Sequence, residues 1–264
     1  MNVVQRARAP AEVYDEMFVP ALFQQWGPIV ADAARIGRGE SVLDVACGTG
    51  VLACAALDRV GPHGTVAGLD PNTDMLSVAR RKSMRIEWRE GRAESLPFPD
   101  GSFDAVVSQF GLMFFDDRPA ALREMMRVLR PDGRMAVAVC DTLDHSPGYA
   151  ALANLLQRLF GDRIADAFRA PFVLGDPERL LSICATAGIV DAKVARHNGS
   201  VRFASIKALI STERACVWTL GGMLDDAQFA ELLKEAEQAL QPFVATDRAI
   251  TFEMPALVVT ATKA

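Results

Sequence analysis

Along most of the chain, short aliphatic and β-branched runs alternate with amphipathic stretches. SVLDVA (41–46) is such a run. It ends in the glycine-rich turn CGTG, and a helix is predicted from about 50 to 60, closed by Gly61-Pro62-His63-Gly64. TVAGLD (65–70) predicts a second strand with a helix from about 72 to 82, RIEWRE (85–90) a third strand and FDAVVSQ (103–109) a fourth. PAALREMMRVL (119–129) reads as a helix that Asp117 is placed to cap; Pro131-Asp132-Gly133 ends it, and RMAVAVC (134–140) is a fifth strand. Upstream, residues 10–35 read as an amphipathic helix, with Val13, Met17, Leu22 and Phe23 apolar and Pro20 interrupting it.

Strands that alternate with helices of 10–12 residues build right-handed βαβ units and a parallel sheet. The second, fourth and fifth strands are almost continuously apolar, as expected where helices cover both faces. The C-terminal half keeps part of this order. A helix near 177–187 leads to IVDAKVARH (189–197), and VRFASI (201–206) is read as an extension of that strand. TFEMPALVVTATKA (251–264) is a closing strand in which Pro255 marks a bulge or an edge. Residues 146–172 and 205–246 are mostly helical, follow strands, and are read as caps over the active-site edge.

A chain of 264 residues, half of them apolar, suits one domain with a sizeable core. Its net charge of −5 and scattered arginines argue against a nucleic-acid surface, which needs a clustered positive footprint. Cys47, Cys54, Cys140, Cys184 and Cys216 form no close pair and sit in apolar contexts, so they read as reduced thiols. His63, His145 and His197 lack metal-ligand spacing, and no metal is expected. The first residues lack an apolar leader, and no run reaches the ~18 residues that span a bilayer. A cytoplasmic protein without stable membrane insertion is expected.

The chemistry concentrates in Val42-Leu43-Asp44-Val45-Ala46-Cys47-Gly48-Thr49-Gly50. A strand ends, the backbone turns tightly and a helix begins. Gly48 and Gly50 let a ligand approach the main chain, and the helix start offers unpaired N–H groups. Asp44 can meet an ammonium group. Asp70 stands 20 residues after Gly50, at the end of the second strand, where a carboxylate accepts hydrogen bonds from ribose hydroxyls; its bland alternative is a helix cap, because Pro71 and Asn72 follow. Gly48, Gly50 and Ala53 also satisfy the dinucleotide fingerprint, so this segment alone leaves two cofactor classes open.

Three further segments, GLDPNTDML (68–76), GRAESLPFPDGSFDAVVSQFGL (91–112) and REMMRVLRPDGRMAVAV (123–139), follow in order at suitable spacing. With VLDVACGTG they closely resemble class I methyltransferases, especially the group related to the ubiquinone and menaquinone C-methyltransferases, over roughly residues 40–140. The resemblance implies an α/β fold: a Rossmann-like, doubly wound, seven-stranded sheet, mostly parallel with an antiparallel C-terminal strand, plus helical cap segments. One domain would fill 1–264, with an N-terminal lid (10–35), a cofactor-binding core (36–145) and caps at 146–172 and 205–246. The implied cofactor is S-adenosyl-L-methionine, leaving as S-adenosyl-L-homocysteine. Asp44, Ala46, Gly48 and Gly50, with Cys47 and Thr49 of the same turn, match the lining of its methionine part; Asp70 matches the ribose acid; Pro71 and Met75 match the residues flanking adenine. Ala93 matches the loop at the adenine edge, and Gln109, followed by Phe110, the strand end beside the sulfonium. The family often has Asp where this chain has Arg92, so Glu94 is the substitute for the adenine amino contact.

A sulfonium is already reactive, so such an enzyme mainly holds it in line with a nucleophile and excludes water. His145, just after the fifth strand, is the general-base candidate, against a plain solvated loop histidine. Tyr14, the second catalytic candidate, lies with Phe18, Phe23 and Trp26 on a helix that in related enzymes can fold over the cofactor, against ordinary packing. Phe110, Met113, Phe114 and Phe115 are a candidate acceptor wall, against core packing for at least half of them. A nucleophilic Cys47 lacks an evident base, and Asp141 reads as substrate contact or turn cap. His63 and His197 read as surface turns, and the charged helix near 226–240 as a solvated face. The expected activity is methyl transfer to a small apolar or aromatic molecule. The rivals are a nucleotide-dependent oxidoreductase, disfavoured by the lack of a Tyr-x-x-x-Lys pair, and a non-catalytic binder of the same cofactor. The apolar caps could pack within one chain or between two, leaving a homodimer open.

Overall fold

A computed structural model describes residues 9–264; residues 1–8, on which part of the reading for a leader rests, lie outside the described residues. The chain opens with α1 (Pro10–Val13), which runs straight into a wide helix over Tyr14–Phe23 and is followed by α2 (Trp26–Ala33). Pro20 lies inside the wide helix, and Gln24 N–H reaches back five residues to the Val19 carbonyl at 2.8 Å. The regular unit follows: β1 (Ser41–Val45), α3 (Val51–Val60), β2 (Thr65–Asp70), α4 (Thr73–Lys82), β3 (Ile86–Glu90), β4 (Phe103–Gln109), α5 (Arg118–Val128) and β5 (Leu129–Cys140). Then come α6 (Pro147–Phe160), α7 (Asp162–Arg169), α8 (Pro177–Thr186), β6 (Lys193–His197), β7 (Ser200–Phe203), α9 (Ile206–Ala215), α10 (Asp226–Ala239), β8 (Ile250–Glu253) and β9 (Ala256–Thr262).

The main sheet has seven strands in the order β3-β2-β1-β4-β5-β9-β6, with only β9 antiparallel to its neighbours. Each central strand serves two cores by its period of two. Val42, Ala105, Val107, Ala136 and Ala138 point to the side covered by α2 and α3; Leu43, Val45, Val106, Met135, Val137 and Val139 point to the other. The order reverses between β1 and β4, so the carboxyl ends of these two strands open a crevice there.

Four local expectations are corrected. The fifth strand begins at Leu129, not 134: Phe103 pairs with Leu129 and Ala105 with Arg134, so Pro131-Asp132-Gly133 is an excursion within the strand. The Lys263 backbone holds that excursion, accepting from Asp132 N–H and donating to the Gly133 carbonyl. VRFASI does not extend β6; β7 leaves the main sheet and pairs with β8 in a separate ribbon. The closing strand is two strands, β8 and β9, and Pro255 lies in the break between them rather than in a bulge or edge. Finally, the segment 10–35 divides: Val30, Ala31 and Ala34 belong to the core under β1 and α3, and only its first half faces the crevice.

Candidate active site

The crevice is a cavity of about 620 Å³, built at one end by the turns after β1 and β2 and at the other by aromatic side chains of the helical segments. After β1 the backbone enters the left-handed region at Ala46 (φ +58°), Gly48 (+53°) and Gly50 (+86°). Ala46 and Gly48 face the cavity, and a Cβ on Gly48 would meet nothing within 4 Å, so it would project into open space. Gly50 is glycine for another reason. It caps α3 away from the cavity wall, and a Cβ there would lie 2.5 Å from the Trp88 ring. Cys47 and Thr49 are buried and also stand off the wall. Burial holds the Cys47 thiol well above its ordinary pKa, which leaves it a packing residue.

Asp70 ends β2 on the wall and shapes the turn. Its Oδ2 accepts from Gly48 N–H at 2.8 Å and its Oδ1 from Asn72 N–H at 2.8 Å. The helix cap is Asn72, whose side chain accepts from the amides of Asp74 and Met75. A carboxylate has about four acceptor sites, so Asp70 keeps some free for a ligand. Burial raises its pKa, against the pull of the two backbone donors. Pro71, Met75, Ala93, Arg92 and Glu94 line the same end. Arg92 ion-pairs with Asp116, and Glu94 Oε1 accepts from Asp116 N–H at 2.9 Å. Glu94 is thus partly engaged at the rim.

Asp44 and Gln109, near the β1 and β4 ends, keep open acceptors. Asp44 is 1 % exposed and sits behind the wall; the Ala53 amide lies toward it, but neither oxygen has a partner with hydrogen-bond geometry. Burial raises its pKa strongly, and Asp70 adds to this. Gln109 lies on the wall, donates from Nε2 to the Phe23 carbonyl at 3.1 Å, and leaves Oε1 buried without a partner. Unpaired buried acceptors are costly, and here they sit where a donor-bearing ligand would satisfy them.

At the other end, all four residues of the candidate acceptor wall, Phe110, Met113, Phe114 and Phe115, line the cavity. Phe110 has φ +56°, an unusual value for a bulky residue and next to the equally left-handed Ala46 turn, so backbone strain gathers on this wall. Tyr14 also lines it, with its ring stacked on Phe23 (centroids 5.2 Å) and edge-on to Trp218 (5.8 Å). Burial first, then the neighbouring Cys216 and Asp70, drives the Tyr14 hydroxyl far above its ordinary pKa. It is a neutral hydrogen-bond donor, not a base. The salt bridges Arg81–Glu12 and Lys82–Asp15 tie this first segment to α4.

His145 stands off the cavity, nearly half exposed, with Nδ1 3.1 Å from Asp141 Oδ2 and 3.2 Å from Thr142 Oγ1. The strand end carries it past the wall; Cys140, not His145, faces inward. Asp141 is fully buried by its pair with Arg196 and by the Thr142 amide, so it is a structural tie. His197 ends β6 rather than forming a turn. The polar group at the aromatic end is one the sequence reading missed: Glu213. Its signal was present. Ile206, Leu209, Ile210 and Glu213 follow i, i+3, i+4, i+7, which puts a carboxylate on the buried stripe of α9. Glu213 is 2 % exposed, accepts from Thr219 Oγ1 at 2.8 Å and faces the Tyr149 hydroxyl, and its pKa is pushed up to about 7 by burial. Among the described residues no helix is long and apolar enough to cross a membrane, and no group of three or more His, Cys, Asp or Glu is placed to hold a metal.

Comparison with known proteins agrees with this geometry. Residues 43–137 match the family model described as a methyltransferase domain. The chain is 39 % identical over 142 residues to the ubiquinone/menaquinone biosynthesis C-methyltransferase UbiE of Hahella chejuensis, a stretch covering 52 % of this chain and 57 % of that protein. The chain thus spans little over half the length of that relative. It is 35 % identical over 168 residues to the demethylmenaquinone methyltransferase of Listeria monocytogenes, covering 59 % of this chain and 70 % of that one. Its fold matches phosphoethanolamine N-methyltransferase 2 of Haemonchus contortus, solved with phosphomonomethylethanolamine and S-adenosylhomocysteine, at a TM-score of 0.59 and 17 % identity, over 96 % of this chain and 56 % of that one. The seven-stranded sheet, the glycine turn with its acidic partner and the relatives together place the chain in the class I methyltransferases, in the group of the ubiquinone and menaquinone C-methyltransferases.

Proposed function

We propose that this protein transfers the methyl group of S-adenosylmethionine to a small aromatic or conjugated acceptor. One observation carries the reading: a single cavity joins a polar end, with open acceptors at Asp70 and Gln109 and a bare glycine at 48, to an aromatic end. The spare acceptor sites of Asp70 and the unpartnered Gln109 Oε1 fit the ribose hydroxyls and ammonium of that cofactor, and the open space at Gly48 fits close approach of its amino-acid part. Asp70 would hold the ribose, Met75 and Ala93 would pack on the adenine, and the Ala46–Gly48 turn with Gln109 would hold the methionine part. When bound, the cofactor supplies an electrophilic methyl on a sulfonium. The residues of the chain bind and align it, and the rings of Tyr14, Phe23 and Phe110 exclude water.

Calorimetric titration with S-adenosylhomocysteine tests the reading first, and saturable binding at micromolar or lower concentration is expected. No heat with either the product or the methyl donor sinks it. Asp70→Ala is expected to weaken that binding by about 1–3 kcal/mol, through loss of charge-assisted hydrogen bonds and of the turn they brace. Gly48→Val is expected to raise the dissociation constant roughly 100-fold, about 2.7 kcal/mol, because a β-branched side chain fills the open space. Gly39→Ala serves as its control. That glycine has φ +79° and open surroundings but does not line the cavity, so the substitution should leave binding unchanged.

A further inference from the structure

The aromatic end of the cavity contains one ionisable carboxylate, and nothing about packing requires it. Glu213 occupies a position in α9 where Ile206, Leu209 and Ile210 share the stripe, and an apolar residue would satisfy the core. Among the described residues it has no ion-pair partner; its neighbour Arg214 turns outward, pairing with Asp226 and covering the Phe229 ring. The groups that face Glu213 are Thr219 from the following loop, Tyr149 from α6 and the Cys216 thiol. The Thr219 hydroxyl donates to it and the Tyr149 hydroxyl faces it, and neither can take its charge away. Phe168 and Phe172 pack edge-on against the Tyr149 ring, and with Trp218 they line the same cavity, a set of rings suited to a flat apolar molecule.

We propose that Glu213 binds the hydroxyl of an aromatic acceptor, a phenol or an enol-like ring alcohol, and takes its proton as the methyl group arrives. The proposal rests on the methyltransferase reading above and adds the residue that would hold the acceptor's hydroxyl. Thr219 holds one carboxylate oxygen and leaves acceptor sites free, so the missing partner is a hydrogen-bond donor on the ligand. Charge selects among donors. A protonated amine would be a second cation beside a sulfonium, whereas a hydroxyl that gives up its proton becomes an anion beside it. In the reaction the O–H bond breaks and its proton passes to Glu213. The freed electron pair, on oxygen or through the ring on the adjacent carbon, forms the new bond to the methyl carbon as the carbon–sulfur bond breaks. S-adenosylhomocysteine leaves neutral. If carbon is methylated, the hydrogen displaced from it leaves as a proton and the oxygen is reprotonated. A carboxyl that titrates near neutrality is matched to this task.

The test uses the full chain loaded with S-adenosylhomocysteine, whose binding is measured first in every variant. Its absence from wild type would overturn the methyltransferase reading rather than this one. 2-Naphthol and 2-methoxynaphthalene are then titrated into wild type, Glu213→Gln and Glu213→Ala. At about pH 8, where Glu213 is ionised, naphthol is expected to bind wild type at least about tenfold more tightly than its methyl ether, as a charge-assisted hydrogen bond implies. The preference should shrink below about pH 6 and vanish in both variants, while S-adenosylhomocysteine binding stays within about twofold. With the methyl donor in place of the product, transfer to naphthol should slow by about 10² or more in Glu213→Gln, although the glutamine oxygen can still accept from Thr219. Wild type that does not distinguish naphthol from its ether, or a Glu213→Gln variant that keeps the preference, overturns the proposal. So does wild type that binds naphthol without methylating it, or a glutamine variant as fast as wild type.

Discussion

Gly175→Ala is expected to lower the free energy of unfolding by about 3 kcal/mol or more, near the top of the usual range for an overpacked core site. A Cβ at this position would fall on the amide nitrogen of Thr142 and the carbonyl carbon of Asp141, and 2.6 Å from the Thr142 Cα. All three are backbone atoms. They belong to the chain just beyond β5, and that chain has no freedom to retreat, because Asp141 is fully buried and ion-paired to Arg196. On the other side, Leu174 is buried and Asp176 caps α8 through the amides of Glu178 and Arg179. In a chain of this size the loss corresponds to a drop in Tm of roughly 6–12 °C. Phe172 and Pro171, three and four residues upstream, line the cavity, so acceptor affinity should suffer with stability. Gly39→Ala, which adds only left-handed backbone strain in open surroundings, should cost about 1–2 kcal/mol. A thermal midpoint for Gly175→Ala within about 2 °C of wild type would show that the strand end yields, contrary to this account.

The second large effect is electrostatic and depends on pH. An unfolded glutamate titrates near ~4.3, whereas Glu213 in the fold is pushed up to about 7 by burial, with Thr219 and Tyr149 opposing part of the shift. Between these values the folded chain keeps a proton that the unfolded chain releases. Stability from this group therefore falls as pH rises through that window. The penalty is absent at the acid end and complete above about pH 7, where it amounts to about 3 kcal/mol. Asp44 and Asp70 are raised by burial and act in the same direction. Asp104 and Glu124, lowered by Arg130 and Arg127 and by backbone donors, act the opposite way below the window. The thiols of Cys216 and Cys184, pushed up to about 11, titrate well above it. Those groups are common to wild type and Glu213→Gln, so the difference between the two isolates Glu213. Urea unfolding should show the glutamine variant more stable than wild type by about 3 kcal/mol near pH 8, and no more stable near pH 4.5. A constant difference across pH would mean that the buried carboxyl titrates normally.

The residues of β1 through α5 could be read from the sequence because each signal there is local. Val42 to Val45 alternate between two buried faces, Asp117 marks the start of α5, and one helix, one turn and one strand separate Gly48 from Asp70. A contact between neighbouring parallel strands follows almost automatically from such an arrangement. What failed depended on distant partners. Nothing local tells that Val201 must leave β6 to pair with Phe252, or that the chain must break at Pro255 to serve two sheets. Gly50 looked like a ligand cradle because its fitted neighbour, Trp88, is 38 residues away.

The same division holds for the site. Sequence by itself determined the α/β class, the glycine turn with its acidic partner, and the aromatic segment after β4, because these rest on periodicity and on backbone geometry that a few adjacent residues impose. Only the tertiary structure decided which groups share the cavity. It turned His145 outward onto Asp141, kept Asp44 behind the wall, and brought Glu213, Thr219 and Tyr149 together from a helix, a loop and another helix. The reason is physical: a buried carboxylate becomes chemically useful through the water it loses and the two or three groups that replace it, and folding, not chain order, chooses those groups.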